Sequence, residues 1–132
     1  MKPTLYLIRG VSGAGKSTFA MTLWAAGIVE RMFEADDFFY HNGVYQFNPA
    51  RLSEAHRYCQ LNTKYVLEHG KSVAVANTST TEFEVLVYKT IAEECNAHFS
   101  SIIIENRHNG VNIHGVPEEK LEQMKRRFSV KL

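Results

Sequence analysis

The stretch Gly10-Val-Ser-Gly-Ala-Gly-Lys-Ser17 decides how the rest of the chain is read. It matches G-x-x-x-x-G-K-[ST] without a gap, between an apolar run from Thr4 to Arg9 and a helical pattern from Ser17 to Ala26 that stops before Gly27. Glycines open backbone angles closed to other residues, so successive N–H groups can converge on an anion while the following helix N-terminus adds partial positive charge. The expected order is therefore strand, anion-holding loop, helix. Gly13, Ala14, Gly15, Lys16, Ser17 and Thr18 form the expected cradle. In it Lys16 reaches the β- and γ-phosphates of a nucleoside triphosphate such as ATP, and the Ser17 hydroxyl ligates a Mg2+ that bridges them. Thr18 supports the α-phosphate. A glycine-rich turn that binds nothing is the bland alternative, and the complete motif in this context argues against it.

Outward from the loop, strands and helices alternate. Glu30 to Asp37 reads as a second strand with two aspartates at its end. Asn48-Pro49 reads as an N-cap with proline at the first helical position, opening a helix that carries Leu52, Ala55, Cys59, Asn62 and Val66 on one side, with Tyr58 and Tyr65 beside them, and that Gly70 closes. Ser72 to Ala76 is the third strand. Thr81-Glu-Phe-Glu84 fits a capping box for a helix running to about Cys95. Phe99 to Ile104 is the fourth strand, and Pro117 opens a last helix with Leu121, Met124 and Phe128 on one face. Such alternation predicts a parallel sheet with right-handed crossovers and helices on both sides.

A chain of 132 residues without repeats or linkers suits one domain over 1–132. A formal net charge of +1 leaves room for nucleic acid only at a local groove. Cys59 and Cys95 lack zinc-ligand spacing and read as buried free thiols. The first residues lack the length of a signal-peptide core and no run approaches a membrane span, so the expectation is a cytoplasmic protein without membrane contact.

Moving a phosphoryl group to an alcohol needs a base for the hydroxyl and cations for the charge on the group in flight. Asp36 and Asp37 fall at the carboxyl end of the second strand, the side of a parallel sheet on which the phosphate loop also lies. One of them can face an acceptor; an isolated Asp-Asp pair reads equally as a solvated turn with an N-cap. Arg107, just past the fourth strand in Glu105-Asn-Arg-His-Asn-Gly110, is either a surface charge or a guanidinium carried over the phosphates by a closing loop. Lys125, Arg126 and Arg127 suit the end of a helix dipole. His56 and Gln60 share a helix face that either packs or lines an acceptor pocket. Tyr40, Tyr45 and Phe47 either stack on a base or pack.

GVSGAGKST, EADDFF, YQFNPARLSEAHRYCQ, VANTST and NIHGVP, in that order, resemble the small AAA-type ATP-binding proteins of phages and bacteria that are grouped with phage polynucleotide kinase and zeta toxins. The resemblance covers nearly the whole chain. It implies a P-loop NTPase three-layer sandwich with a four- to five-stranded parallel sheet, the phosphate-loop strand central, and a short lid at about 106–116. By the same likeness Asp36 is the general base, and Arg107 is the lid arginine that clamps the transferring group. The chain departs from polynucleotide kinase at Phe39, which stands where that enzyme has an acceptor-holding arginine, and at Ala76-Asn77-Thr78, which lacks an acidic Walker B residue.

The expected function is an ATP- and Mg2+-dependent kinase acting on a hydroxyl, with Lys16, Asp36 and Arg107 catalytic and Ser17 on the metal. The acceptor expected is a nucleic acid 5′-end or a small hydroxyl compound. The alternatives are an ATPase and a nucleotide-binding regulatory module without a dedicated acceptor.

Overall fold

The computed structural model describes residues 2–78 and 81–105. The expected lid, Arg107, the helix after Pro117 and the cations at 125–127 lie outside the described residues.

The phosphate-loop strand β1 (Thr4–Arg9) is followed by α1 (Lys16–Ala25), then by a short β2 (Arg31–Phe33) and a 3-10 turn over Ala35–Phe39. A two-stranded hairpin, β3 (Tyr40–His41) and β4 (Val44–Tyr45), leads to a second 3-10 turn (Pro49–Arg51) and the long α2 (Leu52–Glu68). The chain then runs through β5 (Val73–Ala76), α3 (Glu82–Glu94) and β6 (His98–Ile103). The main sheet has four parallel strands in the order β2-β5-β1-β6, so β1 is internal as expected.

Strand β5 shows how the layers form. All four of its residues are buried, and its VAVA sequence alternates faces. Val73 and Val75 join Leu5 and Leu7 of β1 in a core with Ala55, Cys59, Val66 and Leu67 of α2 and Tyr88 and Ala92 of α3. Ala74 and Ala76 face the other way, packing with Ile8 against Ala20 and Leu23 of α1. Helices thus cover both faces, as a wholly buried parallel sheet requires.

The caps read from sequence form. Asn48 Oδ1 accepts from Ala50 N at 3.0 Å ahead of Pro49. Thr81 and Glu84 make the reciprocal box that starts α3. Gly70 is left-handed, with φ 73°, and ends α2.

Three expectations need correction. The second strand stops at Phe33, and the two aspartates lie in a 3-10 turn, because the Ala35 N–H is taken by the Asn77 side chain and the Asp37 N–H by the Glu34 carbonyl. On α2 the buried stripe is Ala55, Cys59, Thr63, Val66 and Leu67, while Leu52 is exposed and Asn62 only half-buried. Thr63 can be buried because its hydroxyl donates to the Cys59 carbonyl at 2.7 Å. Of the two thiols only Cys59 is buried; Cys95 is half-buried.

Candidate functional site

The loop after β1 has the geometry its glycines allow. Gly13 and Gly15 have φ of 83° and 99°, and the left-handed Gly15 is the N-cap of α1. A side chain there would strain the backbone and would not supply the converging N–H groups. Phe19 N closes the first helical turn on the Gly15 carbonyl at 3.0 Å, and Ala14 N closes the loop on the Val11 carbonyl at 3.1 Å. Lys16 folds back so that its ammonium donates to the same Val11 carbonyl at 2.9 Å. Burial pushes the Lys16 pKa down to about 8, against the upward pull of Glu34 and then Asp36. Thr18 is exposed, and its carbonyl accepts the Thr22 hydroxyl at 3.0 Å.

Opposite the loop stands the turn after β2. Strand order explains the meeting: β5 lies between β1 and β2, in register Ile8 with Ala76 and Phe33 with Val75, so all three strands end at one level. Asn77, the next residue of β5, is buried between the other two tips. Its Oδ1 accepts from Ala35 N at 2.8 Å, and its Nδ2 donates to Tyr88 Oη at 3.1 Å and approaches Cys59 Sγ at 3.7 Å. Asn77 is therefore a strut for the aspartate turn.

That turn orients two carboxylates differently. Asp37 Oδ2 accepts from Glu34 N at 2.9 Å, a structural bond within the turn. Asp36 Oδ1 accepts the Tyr45 hydroxyl at 3.3 Å. Burial, followed by the charge of Asp36 and its hydrogen bond, pushes the Tyr45 phenol up to about 12, so it is a protonated donor at neutral pH. Tyr45 comes from the β3–β4 hairpin, whose Asn42-Gly43 turn is left-handed at both residues. The Tyr45 ring lies nearly parallel to that of Phe47, and both meet the buried Phe39 edge to face. Phe39 is 1% exposed, so it packs the hairpin down and presents nothing to an acceptor.

The third acidic side chain of this corner is Glu34. The Ser17 hydroxyl donates to Glu34 Oε1. A hydroxyl and a carboxylate thus adjoin at the loop. That oxygen donor pair fits Mg2+, which takes one or two protein oxygens together with phosphates and water rather than a dedicated cage. Among the described residues no group of three or more His, Cys, Asp or Glu side chains forms such a cage.

The fold brings together Gly13, Ala14, Gly15, Lys16, Ser17 and Thr18 in the loop, with Asp36 acting on Lys16 from the neighbouring turn. It keeps His56 and Gln60 apart from this corner, in a shallow surface depression of α2 with Ser53, Glu54 and Arg57. Sequence reading missed Glu34 and the strut role of Asn77. It also passed over Arg9, buried at the end of β1, where burial lowers its pKa while Glu84 and Glu82 act to raise it. The Asn-Gly pair between aromatic and β-branched residues was a sequence signal for the hairpin; the Glu34–Ser17 contact had no local signal.

No family model matches the chain. Human NEDD4-binding protein 2 is 31% identical over 131 residues, a match covering 91% of this chain; the chain spans 7% of that protein's length. Among solved structures, the Cys556Ala mutant of the Mycobacterium tuberculosis APS kinase CysC superposes with a TM-score of 0.61 at 16% identity, covering 96% of both chains. A chain of the Pnkp1/Rnl/Hen1 RNA repair complex superposes with a TM-score of 0.62 at 18% identity, covering 99% of this chain and 40% of that one. The four-stranded parallel sheet, its helices on both faces and these likenesses give the chain a P-loop kinase-like fold.

Proposed function

We propose that the chain is an ATP- and Mg2+-dependent phosphotransferase that moves the γ-phosphoryl group to a hydroxyl, with a polynucleotide 5′-hydroxyl as the first acceptor to test. The single observation that carries this reading is that β1, β5 and β2 end at one level, which sets the turn bearing Asp36 beside the loop bearing Lys16. A base and a cation at adjoining strand tips can serve opposite ends of one transferring group.

In this reading the N–H groups of Gly13, Gly15, Lys16 and Ser17 hold the β-phosphate, and Lys16 swings from the Val11 carbonyl to the β- and γ-oxygens. The Ser17 hydroxyl would hold a Mg2+ ion, which when bound would supply charge neutralisation to the phosphates. Asp36 orients the acceptor hydroxyl and takes its proton as the new O–P bond forms and the bond from the γ-phosphorus to the β–γ bridging oxygen breaks, releasing ADP, while Tyr45 holds the carboxylate. Arg107 is proposed as the guanidinium that steadies the equatorial oxygens. The resemblance to polynucleotide kinase and the match to a chain of an RNA repair complex support a nucleic acid acceptor.

The burial of Phe39, where polynucleotide kinase holds its acceptor, favours a second reading: an ATPase, or a regulatory nucleotide-binding module without a dedicated acceptor. The test is γ-labelled ATP offered with 5′-hydroxyl DNA, 5′-hydroxyl RNA, nucleosides, small sugars or no acceptor, with wild type and Asp36→Asn compared. Label on an acceptor, lost by several orders of magnitude in Asp36→Asn with ATP binding kept, is the expected result. Label only in free phosphate moves the assignment to the second reading.

A further inference from the structure

We propose that Glu34 makes nucleotide binding at this loop depend on a divalent cation, receiving the metal jointly with Ser17 and repelling polyphosphate when no metal is present. The proposal rests on the phosphate-loop reading above and goes beyond it to the control of that site.

Ser17 is the second residue of the helix at whose N-terminus the loop N–H groups converge, and its hydroxyl proton is already directed at Glu34 Oε1. A hydroxyl that donates its proton to a carboxylate keeps its lone pairs for a cation. The carboxylate beside it supplies the negative charge that Mg2+ or Mn2+ favours. In many phosphate-loop proteins an aspartate supplies that charge. Here the tip of β5 carries Asn77, committed to Ala35 and Tyr88, and cannot supply it. Glu34, one residue past the end of β2, meets the loop serine from the far side of β5.

Charge balance gives the second half of the argument. Among the described residues Glu34 and Asp36 set two carboxylates against the Lys16 ammonium, so a metal-free triphosphate meets negative charge at this corner. The Ser17 contact places Glu34 at the loop itself, where repulsion of a bare polyphosphate is strongest. A divalent cation between carboxylate and phosphate turns that repulsion into two attractions.

The experiment is titration of AMPPNP into the full chain in EDTA, in MgCl2 and in MnCl2, for wild type, Glu34→Gln and Glu34→Asp, with bound Mn2+ counted by electron paramagnetic resonance. Glutamine keeps the shape and the acceptor for Ser17, and a thermal melt confirms folding. Wild type is expected to bind AMPPNP weakly in EDTA and much more tightly with metal. In Glu34→Gln, binding in EDTA is expected to tighten by about tenfold while the gain from metal shrinks by about 10- to 100-fold, with loss of bound Mn2+. Glu34→Asp, which keeps the charge, is expected to keep the discrimination against metal-free nucleotide. An unchanged ratio of metal-bound to metal-free affinity in Glu34→Gln overturns the proposal and leaves the phosphate-loop reading intact. Absence of AMPPNP binding in wild type under every condition overturns both.

Discussion

Asn77 Oδ1 accepts the backbone N–H of Ala35 at 2.8 Å, which ties the tip of β5 to the turn that presents Asp36. Both donors of the same amide are used within the core, toward Tyr88 and Cys59, so the side chain is fully engaged although it is buried.

Replacing that amide with a hydrocarbon tests the strut. Asn77→Leu keeps the branched shape but leaves the Ala35 N–H and the Tyr88 hydroxyl without their partner at a buried site. A loss of about 1–3 kcal/mol is expected in urea unfolding. Phosphoryl transfer should fall further than stability predicts, because the turn carrying Asp36 is no longer pinned, while ADP affinity should change by less than about threefold. Equal losses in ADP binding and transfer would show that Asn77 serves the loop rather than the turn.

Gly10 is held by crowding as well as by its backbone, whose φ of 157° is one that residues with a side chain rarely adopt. A Cβ added there would lie 2.7 Å from the Ile104 carbonyl oxygen and 3.3 Å from the Ala14 Cβ, and Ile104 is itself bonded to the Arg9 carbonyl at 2.8 Å. Neither backbone can yield without parting β1 from the chain leaving β6. Gly10→Ala is therefore expected to cost about 1–3 kcal/mol and to weaken ADP binding, since the displaced segment leads straight into the cradle. Urea unfolding and ADP titration check the two effects together.

Lys16 gives a pH signature with a definite sign. Its pKa falls from 10.5 in an ordinary lysine to about 8 here. Between those values the unfolded chain holds more protons than the folded one, so this residue makes stability rise with pH. Below about 8 the folded state bears the full cost of the buried ammonium, on the order of 3 kcal/mol. Lys16→Met should therefore stabilise the protein most at pH 7, with the advantage shrinking as pH climbs toward 10 in urea unfolding. Bound phosphate favours the charged amine, so ADP affinity should decline above about pH 8 by up to about tenfold per unit, and Lys16→Arg should remove that decline.

Much of this was legible in the chain. The Gly10–Ser17 motif, the alternation of strands with helices, and the caps at Asn48 and Thr81 are local patterns, and local physics is enough to form them. The end of β2 was not legible, because what stops it at Phe33 is the side chain of a residue on another strand. The buried stripe of α2 shifted onto Thr63 and Leu67 for a similar reason: Thr63 satisfies its hydroxyl on Cys59, which composition alone cannot reveal. Glu34 reads as an ordinary strand-end charge until the order β2-β5-β1 is known. Only that order sets its carboxylate against the Ser17 hydroxyl.

The alanine side of β5 has a consequence for how this chain can change. With Ala74 and Ala76 between the sheet and Ala20 and Leu23, the helix that bears the anion cradle rests on the thinnest part of the interior. On the valine side, an added methyl group can be absorbed by two helices remote from the cradle; on the alanine side it acts as a shim under the cradle's own support. Substitutions far from any phosphate can therefore tilt the grip, and drift on the two faces of this one strand should be unequally tolerated.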